Sequence, residues 1–296
     1  MTTPFCAKPL QFNAVWRPDS VPQAARVVVG AAVTKASDCF PIIRHNKRKR
    51  GCAWGTSSGI PSSKRGYRIQ RMSIEPFENR QQAGRQIASA LSDYKGTDCL
   101  VLAIPRGGVV VAYEVALELE MELDVVVPRK IGAPGQPELA IGAVASWGDH
   151  ERILDERSVR YLGVTEEYIE REVHQQLDEV NRRLLAYRGT PDPPNVVGRT
   201  VVLVDDGVAT GYTTRAAALA LRKLGASKIV LAVPVAPLDA LEAIQSYVDS
   251  VICLRTPAPF LAVGYWYRDF SQVSDAEVVA LLREARRKRC GGEHAQ

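Results

Sequence analysis

Five short runs of this chain are apolar at consecutive positions: "DCLVLAIP" (98–105), "LDVVVP" (123–128), "TVVLVDD" (200–206), "KIVLAVPV" (228–235) and "SVICL" (250–254). A strand with no polar face must be covered on both sides, which is the condition of a parallel sheet layered between helices. The intervening segments supply those helices. "GGVVVAYEVALELE" (107–120) and the stretches at about 212–224 and 238–247 have helical length. Earlier, "FENRQQAGRQIASALSDY" sets Ala83, Ile87, Ala90 and Leu91 at helical spacing. The fold class is therefore α/β, a mostly parallel sheet flanked by helices. A long amphipathic helix at about 165–188 carries Ile169, Val173, Leu177, Val180 and Leu184 on one stripe, stopped by Gly189 and Pro191. That continuous stripe suits a partner or a homodimer. The last helix, "SDAEVVALLREARRKR", is capped at its start and basic at its end.

Composition narrows the setting. The chain of 296 residues is 46% hydrophobic and 24% charged, as in soluble globular proteins. No segment approaches the ~18 continuous apolar residues of a membrane span. The run "VVVGAAV" at 27–33 lacks the features of a secretory signal. The cysteines at 6, 39, 52, 99, 253 and 290 form no C-x-x-C pair, and they read as reduced thiols of a cytoplasmic protein. His45, His150, His174 and His294 are isolated, and His174 is expected on the surface.

Charge divides the chain. Residues 1–71 hold 13 Lys+Arg and 2 Asp+Glu, whereas 72–296 hold 25 and 31. The two domains expected are thus a basic, unfolded extension (1–71) and a folded α/β domain (72–296). The extension, with "HNKRKRG" and "WGTSSGIPSSKRG", is compatible with a nucleic-acid arm, a transit peptide or a plain unstructured extension, such as an upstream in-frame translation before Met72. The last reading is preferred, so nucleic acid is a partner only through this tail.

Two carboxylates, Asp205 and Asp206, close the run "VVLVDD", and "GVATGYTT" follows. Ligands of open α/β sheets bind beyond the carboxyl ends of the strands. The free N–H groups at the next helix start, with the hydroxyls of Thr210, Thr213 and Thr214, make an anion site. Carboxylates repel phosphate but accept from hydroxyls. A ligand with a phosphate at one end and a vicinal diol nearby satisfies both halves. In "AIPRGGVVVA" (103–112), Arg106, Gly107 and Gly108 occupy an equivalent strand–turn–helix position, where glycines admit a close phosphate and Arg offers a forked donor. The third segment, "VVPRKIGAPGQPELAIGAVA" (126–145), reads as a long functional loop with Arg129 and Lys130 at its base.

"VVLVDDGVATGYTT" resembles the 5-phosphoribosyl 1-diphosphate (PRPP) motif of type I phosphoribosyltransferases, and the likeness runs from about residue 75 to the C-terminus. The chain is similar to stand-alone bacterial and archaeal members of unassigned substrate, which share "RKIGAPGQPELAIGAVA" and "FLAVGYWYRDFSQVSD". The resemblance implies a nucleotide-salvage transferase that moves phosphoribose from PRPP to an acceptor nitrogen, typically of a nucleobase. Asp205 and Asp206 would hold the ribose hydroxyls and touch Mg²⁺ through water. Ala209, Thr210, Gly211, Tyr212 and Thr213 would cradle the 5′-phosphate, although Tyr212 stands where a small residue is usual and its ring would restrict the site. Arg106, Gly107 and Gly108 would bind pyrophosphate, with a cis Pro105–Arg106 peptide. Arg129 and Lys130 would sit at the base of a closing loop and neutralise the leaving group. A small hood from about 129–160 and "FLAVGYWYRDF" would select the acceptor. There Tyr265, Trp266, Tyr267 and Phe270 either stack on a base or pack the hood's core. The alternative is a non-catalytic module that senses PRPP or a nucleotide.

Overall fold

The computed structural model describes residues 68–69, 75–145 and 151–292. The expected extension lies outside them, except for the two residues of β1. All described residues belong to one compact unit, Ser62–Gln296.

Six strands form a parallel sheet in the order β1 (Arg68–Ile69), β9 (Ser250–Arg255), β8 (Lys228–Val235), β7 (Thr200–Val204), β2 (Cys99–Ala103), β3 (Glu122–Val125). Each of the five apolar runs became one of these strands. Leu100, Val101, Leu203, Val230 and Leu231 are at most 1% exposed, as burial on both faces requires. The chain runs from β2 out to β3, then returns as β7 on the other side of β2. That reversal opens a crevice at the carboxyl ends of β2 and β7.

Helix α1 (Arg80–Ala90) is capped by Asn79, whose side chain accepts from the Gln82 N–H. It packs on α2 (Gly107–Leu119), and Gly84 lets the two approach, since a Cβ there would lie 2.7 Å from the Val111 carbonyl. The C-terminal helix α7 (Asp275–Gly292) begins with the expected capping box, Ser274 and Glu277 exchanging hydrogen bonds.

The segment expected as a long loop is instead regular. β4 (Pro128–Ala133) and β5 (Gln136–Ala145) form an antiparallel hairpin about Pro134–Gly135, joined by β6 (Glu151–Leu154) into a three-stranded sheet. The glycines and prolines that suggest a loop serve the hairpin: Gly135 takes the turn at φ +71°, and Gly132 lies in an irregular register. The sheet's two faces differ. Ile131, Ala133, Ile141 and Val144 meet Ile169, Val173 and Leu177 of α4 (Glu166–Arg188), whereas Ala143, Ala145 and Ile153 meet Ala216 and Ala220 of α5 (Tyr212–Lys223).

Both helices join the two sheets. Ala217, Ala218 and Leu221 of α5 lie in the main core while its other face covers the hairpin sheet. In α4 the N-terminal half of the stripe covers the hairpin sheet, and Val180, Leu184 and Tyr187 enter the main core. The stripe expected to serve a partner is therefore buried within the chain. Among the described residues no helix is long and apolar enough to cross a membrane. Cys99 and Cys253 are free and buried, and burial pushes the Cys253 thiol up to about 12.

Gly142 tests the second sheet. A Cβ there would stand 2.3 Å from the Ile153 carbonyl, so Gly142→Ala must prise β5 from β6. The expected cost is roughly 1–3 kcal/mol, read as a lowered midpoint in thermal unfolding.

Candidate functional site

Two loops converge at the crevice. The β2–α2 turn carries Arg106, Gly107 and Gly108, and its Pro105–Arg106 peptide is cis. The β7–α5 loop carries Asp205 and Asp206. The glycines act first on those acids. A Cβ on Gly107 would fall 1.9 Å from Asp206 Oδ2 and 2.7 Å from Arg80 Nε, and one on Gly108 would fall 3.0 Å from the Asp205 Cα. A side chain at Gly107 would collide with Asp206 and Arg80 as they stand, and one at Gly108 would crowd the Asp205 backbone.

Arg80, from the first turn of α1, was not found by sequence reasoning. Its Nε donates to Asp206 Oδ2 at 2.7 Å, its Nη1 donates to the Ser271 carbonyl at 2.8 Å, and its guanidinium lies 3.8 Å from the Phe270 ring centre. The side chains of Arg80 and Asp206 are only 10% and 15% exposed. Asp205 Oδ1 accepts from the Asp206 N–H at 2.8 Å. Burial, with Asp206 beside it, holds the Asp205 carboxyl well above the ordinary range. Burial also raises Asp206, against the pull of Arg80.

Beyond the acids the chain opens into the anion loop. Val208 N–H bonds the Val235 carbonyl at 2.9 Å, and the next N–H to find a backbone acceptor among the described residues is Arg215, on Gly211 at 2.9 Å. The N–H groups of Ala209, Thr210, Gly211, Tyr212 and Thr213 are thus left at the head of α5. Gly211 takes φ +76°, which a side chain would strain. Ala209 and Thr210 are exposed. Thr214 is not part of this surface: its hydroxyl is buried without a partner.

Tyr212 turns its ring to a neighbour. Its hydroxyl donates to Asp155 Oδ2 at 2.8 Å, the same Asp155 that caps α3 (Glu156–Tyr161). The hydroxyl therefore faces the end of the hairpin sheet, and the ring lines a cavity with Ala209 and Thr210. Burial works to raise the Asp155 carboxyl, but hydrogen bonds from Ser158 and Tyr212 outweigh it and hold the group below its ordinary value.

Arg129 and Lys130 separate. Adjacent strand residues point to opposite faces. Arg129 pairs in register with Val144, on the α4 face, and its Nε donates to Gln176 Oε1 at 3.0 Å. Burial, then Arg183, lowers its pKa. The bond to Gln176 holds the Arg129 side chain toward α4. Lys130 is exposed and pairs with Ala143, on the α5 face. Arg106 is 39% exposed and stands 3.9 Å from Asp275.

The aromatic segment buttresses the acids. Tyr267, 5% exposed, donates its hydroxyl to the Asp206 carbonyl at 2.5 Å and packs between Phe77 and Phe270, with ring centres 5.4 and 5.2 Å away. Of the four rings considered for base stacking, Tyr267 belongs to the core. Tyr265 is 69% exposed.

A parallel α/β sheet with paired carboxylates and a helix N-terminus at its switch-point crevice is an arrangement in which open α/β domains bind their ligands. The phosphoribosyl transferase domain model matches residues 71–267, well over half of the chain, and the chain belongs to that family. Two Mycobacterium tuberculosis proteins, "Putative phosphoribosyl transferase MT0597" (strain CDC 1551) and "Putative phosphoribosyl transferase Rv0571c" (strain H37Rv), are each 46% identical over 211 residues. These alignments take in 71% of this chain and 47% of the M. tuberculosis chains, so it spans about half the length of the curated relatives it matches. The crystal structure of TT1426 from Thermus thermophilus is 44% identical with a TM-score of 0.60, covering 71% of this chain and 98% of that one.

Two substitutions probe this geometry. Gly107→Ala is expected to cost roughly 1–3 kcal/mol, because either Asp206 or Arg80 must move; thermal unfolding measures it. Tyr212→Phe removes a bond to a carboxylate with a depressed pKa. Such a group stabilises fully above its ordinary value and loses that contribution as pH falls through the depressed one. The variant should lose stability near neutrality and lose less on further acidification than wild type, read from melts across pH.

Proposed function

We propose that the chain transfers phosphoribose from PRPP to an acceptor nitrogen and releases pyrophosphate. The observation that carries this reading is the contact between the acid pair and the Gly107–Gly108 turn, beside a run of open N–H groups. A diol-binding group, a turn suited to a diphosphate and a phosphate loop are the three things such a ligand needs. The unit assigned to this work is residues 72–296, with 1–71 a separate extension.

Asp205 and Asp206 accept from the ribose hydroxyls and orient the sugar. The N–H groups of Ala209 to Thr213 hold the 5′-phosphate, and the exposed Ala209 and Thr210 give it access. At C1 the bond to the diphosphate oxygen breaks, the electron pair leaves with pyrophosphate, and a bond to the acceptor nitrogen forms. Arg106 sits where negative charge grows, and Lys130 lies on the hairpin face turned to α5.

Among the described residues no cluster of three or more His, Cys, Asp or Glu is arranged as a metal cage. Two carboxylates beside a diphosphate site nevertheless fit Mg²⁺, which binds through few carboxylates, water and substrate phosphates. Asp205 and Asp206 would hold the ion through water, and when bound it supplies Lewis-acid polarisation of the leaving diphosphate.

The acceptor is assigned to a cleft of about 720 Å³ that shares Ala209 and Thr210 with the phosphate loop. Phe260 and Leu261 wall it, together with Pro237 and Leu238 at the head of α6 (Leu238–Ile244). Its apolar residues suit the face of a flat ring, Asp239, Glu242 and Thr256 add polar groups that could meet the ring's edge, and a nucleobase is the acceptor class proposed.

Calorimetric titration of the full chain with PRPP and Mg²⁺, beside Asp205→Asn/Asp206→Asn, tests the reading. Wild type should bind saturably, and the double variant should lose at least ~10-fold in affinity, the loss of one charged hydrogen bond or more. Pyrophosphate release across a nucleobase panel then identifies the acceptor. Binding without release from any base would favour the sensing module over the transferase.

A further inference from the structure

Arg80 lies outside every motif that points to the site, yet it touches all three of the site's supports. Nε bonds Asp206, Nη1 bonds the carbonyl of Ser271, and the guanidinium plane covers Phe270. Gly107 packs against the Arg80–Asp206 contact so closely that no side chain fits there. Arg80 is also placed with little freedom. It opens α1 directly after the Asn79 cap, so the helix start fixes its backbone, and its side chain is 10% exposed.

The consequence falls on the acid pair. Asp205 spends Oδ1 on the Asp206 N–H, and Asp206 spends Oδ2 on Arg80. The two carboxyls otherwise meet each other, side chain to side chain, and a ligand that donates two hydroxyls can take the place of that mutual contact. Two oxygens from adjacent residues, each on a carboxylate held by a fixed donor, match the two hydroxyls of a vicinal diol. We propose that Arg80 is a positioning residue that commits one oxygen of Asp206 and so presents the acid pair to the diol of a phosphoribosyl ligand. This rests on the PRPP reading above. It also assigns the segment around Phe270 and Ser271 to holding Arg80, through ring stacking and one carbonyl.

The forked guanidinium is needed because it serves Asp206 and Ser271 at once. A lysine at the same position keeps the charge but offers a single ammonium at the end of a flexible stem. Asp205 makes no hydrogen bond to Arg80, so Arg80 acts on it only through charge and through Asp206.

The test is a double-variant cycle on the full chain, titrated with PRPP and Mg²⁺ after thermal unfolding has shown each variant folded. Arg80→Met is expected to weaken PRPP about 10- to 100-fold, the range for one charged hydrogen bond. Combined with Asp206→Asn it should lose little more than the worse single variant, because both act through the same oxygen. Combined with Asp205→Asn the further loss should be larger than with Asp206→Asn, because Asp205 makes no hydrogen bond to Arg80. Arg80→Lys should fall between wild type and Arg80→Met, and it carries the same cycle if Arg80→Met does not fold. Wild-type affinity in Arg80→Met, or losses that multiply with Asp206→Asn, would overturn the role of Arg80. A wild-type chain that binds no PRPP overturns the underlying site reading instead, before any variant is compared.

Discussion

The contact between Gly107 and Asp206 governs the site. Two strand-to-helix turns at neighbouring sheet positions each place polar groups over the sheet, and they can touch only if one has no side chain. Once they touch, two carboxylates are forced together in a place where water is scarce. Both pKa values then rise. Adjacent buried acids are costly unless a cation or hydrogen-bond donors compensate, and truncating one partner of a buried ion pair typically costs about 3–5 kcal/mol. Arg80 is that cation for Asp206, the Asp206 N–H is the donor to Asp205, and the Tyr267 hydroxyl holds the backbone through the Asp206 carbonyl. The site is a product of packing before it is a product of chemistry.

The same accounting explains what could be read from the sequence. The main sheet was legible because strands buried on both faces must be apolar throughout. Runs such as "VVLV" and "IVLAV" allow few other fates. The two loops were legible because acids, glycines and hydroxyls sit at positions fixed by the strand ends. The hairpin sheet was hidden. Its residues are small, its glycines and prolines resemble loop chemistry, and its alternation is blurred because α4 covers one face and α5 the other. Arg80 was hidden for a different reason. It is 126 residues from Asp206 in sequence, and nothing about an Arg behind a helix cap announces a partner so distant. Arg129 misled because adjacency in sequence suggests a shared role, whereas adjacency in a strand places two side chains on opposite faces.

Helix α5 connects these levels. Its head carries the anion loop, and its body "AAALAL" is small enough to lie between two sheets at close-packed distance. A helix clamped on both sides cannot slide to adapt to a ligand. The position of the free N–H groups is therefore set by the two cores, and Tyr212 adds a hydrogen bond from the helix head to the exit of the hairpin sheet. Lys130 lies on the sheet face turned to that helix. The loop and the lysine share one support, so in the proposed function the spacing between the groups that hold the two ends of the ligand depends on the packing of alanines. A larger residue at Ala216 or Ala220 would act on the ligand through that spacing, without touching any group that binds it.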